Sequence, residues 1–357
     1  MNSRFMSPRH SGLVAYVPGE QPRVLGRLVK LNTNENPYPP SPRAQAAAAA
    51  AAADLRLYSD PECLSLRQKL AETYKVDPDE VICANSSDEA LDLAFLTFCD
   101  ADRPAVFPDI TYGFYSVFCD LYGIPCRQIP LKDDFTVDEN DYLNAKGAVF
   151  IANPNAPSGI YLEREKIERI LKSDPDRLVV IDEAYIDFGG ESCVPLIRKY
   201  DNLLVTMTYS KSRCMAGARL GFAIGCRTLI ADMNTVRNSR NPYNVNRMTM
   251  AAGIGALEDA EYTAECCERI IATREKMRTE LEKRGFFCLP SSANFLFARS
   301  SRIGGLALYQ KLKEKGVFIR HFETERLKDY NRISVGTPEE ADILLDRIDK
   351  ILKEENA

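Results

Sequence analysis

Histidine is almost missing from this chain. Two occur in 357 residues, His10 and His321, too few for a histidine-based zinc site. No two cysteines have CxxC spacing, although the chain has 11, an odd number. Several sit in apolar runs, Cys83, Cys99 and Cys119 among them. That pattern suits reduced, buried thiols better than a disulfide framework. No charge sign dominates either: 46 basic residues stand against 51 acidic ones, for a net charge of −5. With both signs spread along the chain, there is no basic field for nucleic acid. No apolar run reaches membrane-spanning length. The first ten residues, "MNSRFMSPRH", lack the apolar core of a signal peptide. The expectation is a cytoplasmic protein without nucleic-acid or membrane partners.

What is present is an ordinary globular composition, 45% hydrophobic and 27% charged. The length suits one large domain and a smaller one. Residues 1–40 are expected to form an irregular arm, because "YVPGEQP" and "NTNENPYPPSP" are dense in turn formers. The eight alanines at 46–53 predict a packed or surface helix. From Pro61 to about residue 230, helical patterns alternate with short β-branched runs: "EVICAN", "PAVFP", "GAVFIAN", "RLVVID", "LLVTMT" and "GFAIG". This alternation predicts an α/β fold with βαβ units and a mainly parallel sheet flanked by helices. Residues 41–240 are assigned to this large domain. Beyond Asn241 comes a long amphipathic segment, read as one helix or two and ending at Gly285. Residues 241–357 are expected to form a smaller α+β domain, with the arm packed against it.

In parallel sheets, ligands gather beyond the carboxyl ends of the strands. "RLVVID" ends in Asp182, followed two residues on by Ala184 and Tyr185. A carboxylate buried there is costly unless it faces a cation. "LLVTMT" is followed by Ser210 and Lys211, and Arg219 lies shortly after. "VICAN" runs into "SSDEALDL", a helix start whose free N–H groups at Ser87 and Asp88 favour an anion. "NPNAPSG" follows a third strand. A lysine, a carboxylate, a phenol and an anion cradle together match one ligand, pyridoxal 5′-phosphate (PLP). It has an aldehyde, a ring nitrogen, a phenolic oxygen and a phosphate.

These blocks resemble a known family. "NPNAPSG", "VVIDEAYIDF" and "YSKSRCMAGARLGF" are similar to the core motifs of the fold-type-I PLP-dependent aminotransferases. "KLNTNENPYPP", "YSDP", "NSSDEALDL", "TYGFYSVF", "NPYNVN", "SANFLFAR" and "RISVGT" resemble, in order, the blocks of its histidinol-phosphate branch, across nearly the whole chain. The resemblance implies that Lys211 binds the cofactor covalently and carries protons, that Asp182 pairs with the ring nitrogen, and that Tyr185 donates to the phenolic oxygen. It implies that Tyr112 stacks on the ring. It places Ser87, Asp88, Ser210 and Arg219 on the phosphate, with Tyr58 reaching the cofactor of a second subunit in a homodimer. The implied reaction is transamination between L-histidinol phosphate and 2-oxoglutarate. Arg332 and Arg320 are then expected to bind the substrate's anionic groups, and Tyr16 and Asn36 of the arm to cover it. Tyr243 and Asn246 are candidates for reading the imidazole. An aromatic aminotransferase or a threonine-phosphate decarboxylase would share this scaffold, as would a PLP-binding regulator.

The chain departs from the family in two places. Ala156 stands where an asparagine usually contacts the phenolic oxygen; either Asn155 or Asn153 is expected to substitute for it, or Tyr185 to act without a direct amide partner. Ser86 stands where the phosphate loop often has glycine.

Overall fold

The computed structural model describes residues 3–17, 19–21 and 28–355. β1 (Val29–Lys30) leads to α1 (Pro42–Ala51) and α2 (Leu64–Tyr74). Then come β2 (Val81–Ala84), α3 (Ser86–Phe98), β3 (Ala105–Pro108), α4 (Phe114–Tyr122) and β4 (Cys126–Ile129). β5 (Ala148–Ala152), α5 (Arg164–Ser173), β6 (Val179–Asp182), β7 (Leu203–Thr208), β8 (Gly221–Gly225) and α6 (Arg227–Arg240) follow. The rest is α7 (Arg247–Glu258), α8 (Ala260–Lys283), β9 (Phe286–Cys288), β10 (Phe295–Ser300), α9 (Gly305–Glu314), β11 (Val317–Phe318), β12 (Arg320–His321), β13 (Tyr330–Ser334) and α10 (Pro338–Glu354).

The central sheet has seven strands in the order β2-β8-β7-β6-β5-β3-β4. All pairings are parallel except those of β8 with β7 and β2. Its strands other than the edge strand β4, which is mostly exposed, are buried and largely apolar because both faces are covered. Val179 and Ile181 of β6 enter one core while Val180 enters the other, as a period of two requires. A second, antiparallel sheet, β12-β13-β10-β9, has its own core with α8, α9 and α10. β1 of the arm pairs in parallel with β11. The run "VFIRHF" is thus divided, β11 joining the arm and β12 joining the second sheet.

The amphipathic segment after residue 241 is two helices, broken at Asp259, with Gly285 beyond the end at φ +82°. α7 packs on α1 and α2, and its Ala252, Ala256 and Leu257 belong to the core of the large sheet. Residues 241–258 therefore lie with the larger unit rather than the smaller one. Ala44, just before the alanine run, is buried, while the alanines at 46–53 are half-buried or exposed. α1 starts at Ser41, whose Oγ accepts from the Ala44 N–H at 3.2 Å. It lies so close to α7 that a Cβ on Gly255 would stand 2.7 Å from the Arg43 carbonyl oxygen.

One glycine sets the floor of the site. A Cβ on Gly221 would lie 2.3 Å from the Ser86 carbonyl carbon and the Ser87 nitrogen. Backbone cannot yield as a side chain can. Gly221→Ala is expected to cost about 3 kcal/mol or more and to displace the first turn of α3. Thermal unfolding checks the first effect, and anion or cofactor affinity the second. A melting point equal to the parent's would refute both.

Candidate active site

The carboxyl ends of β2, β5, β6 and β7 converge on a cavity of about 350 Å³. Ser87 and Asp88 reach it from the N-terminus of α3, Asp182 and Tyr185 from the end of β6, and Ser210 and Lys211 from the end of β7. Arg219 precedes the antiparallel β8, which brings it back to the same end of the sheet. Tyr112 closes one side. The expected order of strand ends is thus realised in space for eight residues spread over more than a hundred positions.

Asp182 is buried, 5% exposed, between two hydroxyl donors. Tyr115 Oη and Thr206 Oγ1 each donate to its carboxylate at 3.3 Å. No lysine or arginine among the described residues forms an ion pair with it. Burial, then the charge of Asp88, pushes its pKa up to about 6 despite the two hydroxyls. A carboxylate held in this way is suited to a cationic N–H on a ligand. Neither Tyr115 nor Thr206 stood out in the sequence. The cross-strand register that puts Thr206 beside Asp182 depends on sheet order, and the one available sign for Tyr115 was its place one helical turn after Tyr112.

Lys211 Nζ donates to the Thr33 carbonyl at 3.3 Å and lies 5.7 Å from the centre of the Tyr185 ring. Arg219 pairs with Asp88 at 2.8 Å and also holds the Ala216 carbonyl. Tyr112 Oη donates to the other Asp88 oxygen at 2.5 Å. Asp88 thus fixes the guanidinium and the phenol that line the cavity. Ser86 has φ +76°, the left-handed region in which glycine is unstrained. Its hydroxyl offsets part of that strain by accepting from the Asp88 N–H and donating to its Oδ2.

A second cavity, about 720 Å³, shares Thr33, Tyr112, Ala156, Tyr185 and Lys211 with the first. Arg320, Arg332 and Tyr16 line it. Arg332 is largely buried, and burial lowers its pKa. Its Nη2 donates to the Asn32 carbonyl at 3.1 Å, while its Nε has no partner. Tyr16 packs against Phe114, ring centres 4.4 Å apart.

Six expected residues are not gathered here. Asn155 lies behind the wall: its side chain accepts from Thr111 and donates to the Ile110 carbonyl and Ser158. Asn153 closes a reciprocal pair with the backbone of Leu162. Asn36 lines neither cavity and donates instead to the Lys211 carbonyl at 2.9 Å, bracing the lysine's backbone rather than covering a ligand. Tyr58 is 80% exposed and stacks on Tyr243, and neither ring lines a cavity. Asn246 caps α7 by accepting from the Thr249 N–H.

A family model described as aminotransferase class I and II matches residues 27–348. A histidinol-phosphate aminotransferase of Chromohalobacter salexigens is 46% identical over 352 residues, 98% of this chain and all of its own. Histidinol-phosphate aminotransferase 2 of Rhizobium meliloti is 49% identical over 351 residues, again 98% of this chain and all of its own. The crystal structure of histidinol-phosphate aminotransferase from Sinorhizobium meliloti, in complex with pyridoxal 5′-phosphate, has the same fold. Its TM-score is 0.88 at 24% identity, over 99% of both chains.

Proposed function

The chain belongs to the class I and II aminotransferase family, and on that premise we propose that it is a PLP-dependent transaminase of histidine biosynthesis. It moves the amino group between L-histidinol phosphate and 2-oxoglutarate, giving imidazole acetol phosphate and L-glutamate. The observation that carries this reading is the junction of the two cavities. A lysine and a buried, cation-free carboxylate stand in one, and two arginines stand in the other.

The donor set of the smaller cavity fits pyridoxal 5′-phosphate. When bound, that group supplies an aldehyde for amine exchange and a protonated ring that withdraws electrons. Asp182 holds the ring N–H, with Tyr115 and Thr206 keeping its carboxylate in place. Tyr185 donates to the phenolic oxygen and Tyr112 covers one face. Ser87 and Asp88 at the start of α3, with Ser210 and Arg219, hold the phosphate, because a helix N-terminus and a guanidinium both favour an anion. Lys211 would hold the group covalently through Nζ, and as a free amine it would carry the proton at the substrate Cα. Asn36 braces the lysine's backbone meanwhile.

The substrates share anionic groups but not the same ones. Glutamate brings two carboxylates, and histidinol phosphate a phosphate in their place. A planar guanidinium accepts either, and this is the task we assign to Arg332 and Arg320. Tyr16 walls the same space. We also propose a homodimer. Tyr58 is exposed, stacked on Tyr243 and preceded by the exposed Leu55 and Leu57, and it is the residue we assign to the cofactor of a second copy. The described cysteines are all free thiols, mostly buried, which suits a reducing cytoplasm.

A half-reaction screen tests the substrate. Histidinol phosphate and glutamate, mixed singly with the PLP-loaded protein, should each convert the visible band to the amine form. Phenylalanine, tyrosine and threonine phosphate should convert it far more slowly. Rapid conversion by the aromatic amino acids but not by histidinol phosphate would move the assignment to an aromatic aminotransferase. Release of carbon dioxide from threonine phosphate would move it to a decarboxylase.

A further inference from the structure

Ala156 lines both cavities but offers no amide, and the amides of Asn153 and Asn155 are engaged elsewhere. One amide does approach the phenol of Tyr185, from the arm. Asn34 Nδ2 donates to Tyr185 Oη at 3.0 Å. Asn34 is 1% exposed and sits at φ +55°, a left-handed conformation that asparagine tolerates.

Its orientation is held from three sides. The Asn34 N–H donates to Ser334 Oγ at 2.8 Å, and the Ser334 hydroxyl donates to Asn34 Oδ1 at 2.9 Å. Asn294 Nδ2 donates to the Asn34 carbonyl at 2.9 Å. With Oδ1 engaged by Ser334, the NH₂ group faces Tyr185. A phenol oxygen that accepts this hydrogen bond keeps its own proton free to donate. Tyr185 lines both cavities, so that proton is available to a ligand there.

We propose that Asn34 is a positioning residue that takes over the work of the amide absent at Ala156, by fixing and polarising the Tyr185 hydroxyl toward the phenolic oxygen of the cofactor. The inference rests on the cofactor reading above. Chained hydrogen bonds strengthen one another, so Ser334, Asn34 and Tyr185 together act as one strong donor where the family uses two separate ones. Lys211 and Arg332 are charged groups near Tyr185, Glu35, Asp88, Asp182 and Arg219 line the same cavity, and the test leaves all six unchanged.

A donor to the phenolic oxygen favours the form of the lysine-bound cofactor with more negative charge on that oxygen, which is the deprotonated form. The pH midpoint of the visible band therefore reads the donor's strength. In the PLP-loaded protein, Asn34→Ala should raise the midpoint by about one pH unit. Asn34→Asp keeps the shape but turns the bond round, because a carboxylate accepts the Tyr185 proton, and it should raise the midpoint at least as far. In a Tyr185→Phe background, Asn34→Ala should add nothing. Ala156→Asn should reverse most of the shift in Asn34→Ala. An unchanged or lowered midpoint in both Asn34 variants overturns the proposal, as does full additivity with Tyr185→Phe. Melting curves identify any variant that has not folded, and the near-isosteric Asn34→Asp then decides. If the parent protein forms no visible band with PLP, the cofactor reading itself has failed, an outcome distinct from these.

Discussion

Lys211→Ala should abolish transamination, lowering turnover by about four orders of magnitude or more, and the protein mixed with PLP should lose the visible band of a lysine-bound cofactor. The size of the effect follows from the lining of the site. Among the described residues, Lys211 is the one lysine that lines either cavity, so no neighbouring amine can replace it. The fold should survive. Lys211 Nζ makes one hydrogen bond, to the Thr33 carbonyl at 3.3 Å, and the braces on its backbone from Asn36 do not involve the side chain. Stopped-flow absorbance and thermal unfolding measure the two sides of the expectation. Turnover within tenfold of the parent would remove Lys211 from the mechanism.

Asp182→Asn should lower turnover between about 100- and 1000-fold, the usual loss when a preorganised electrostatic partner is removed. An amide has the shape of the carboxylate but not its charge, so the cofactor's ring nitrogen loses the partner that keeps it protonated. The same change should stabilise the cofactor-free protein at neutral pH. Burial raises the Asp182 pKa to about 6, above its unfolded value. Stability from such a group is present below the unfolded pKa and is lost as pH rises through the folded one. The parent therefore carries a penalty at pH 8 that it lacks at pH 4. Asp182→Asn should be more stable than the parent by roughly 1–3 kcal/mol at pH 8, with the gain gone near pH 4. Denaturant titrations of both proteins at the two pH values measure it. Turnover within threefold of the parent would refute the catalytic part, and a gain that does not vary with pH the electrostatic part.

Much of this site could be read from the chain because it is built from strand ends. A parallel sheet turns sequence order into a row of loops on one edge, so Ser87, Asp182, Ser210 and Lys211 needed only the alternation of strands and helices to be brought together. What could not be read depends on relations between distant segments. Thr206 reaches Asp182 through the register of β6 and β7. Asn34 reaches Tyr185 from the arm, 151 residues away in sequence. Asn155 looked like an available amide, yet its donors are used by Ile110 and Ser158, and sequence alone does not show where a polar loop spends its hydrogen bonds. The joint between α7 and α8 was equally hidden. The amphipathic pattern runs through Asp259 without a break, while the packing partner changes there from α1 to the second core.

The pairing of β1 with β11 has a consequence for how the protein is made. The arm is synthesised well before the segments it pairs with: Val29 and Lys30 pair with Val317 and Phe318, and Asn34 bonds to Ser334. Ser334 lies 300 residues beyond Asn34. Closing so long a loop is slow and brings no reward until its contacts form. The Thr33 carbonyl that holds Lys211 therefore stays unplaced when the last strand of the central sheet is finished at residue 225. A nascent chain would pass through a stage with the strands of the sheet made and the site open, and the site would close only when the arm meets β11 and β13.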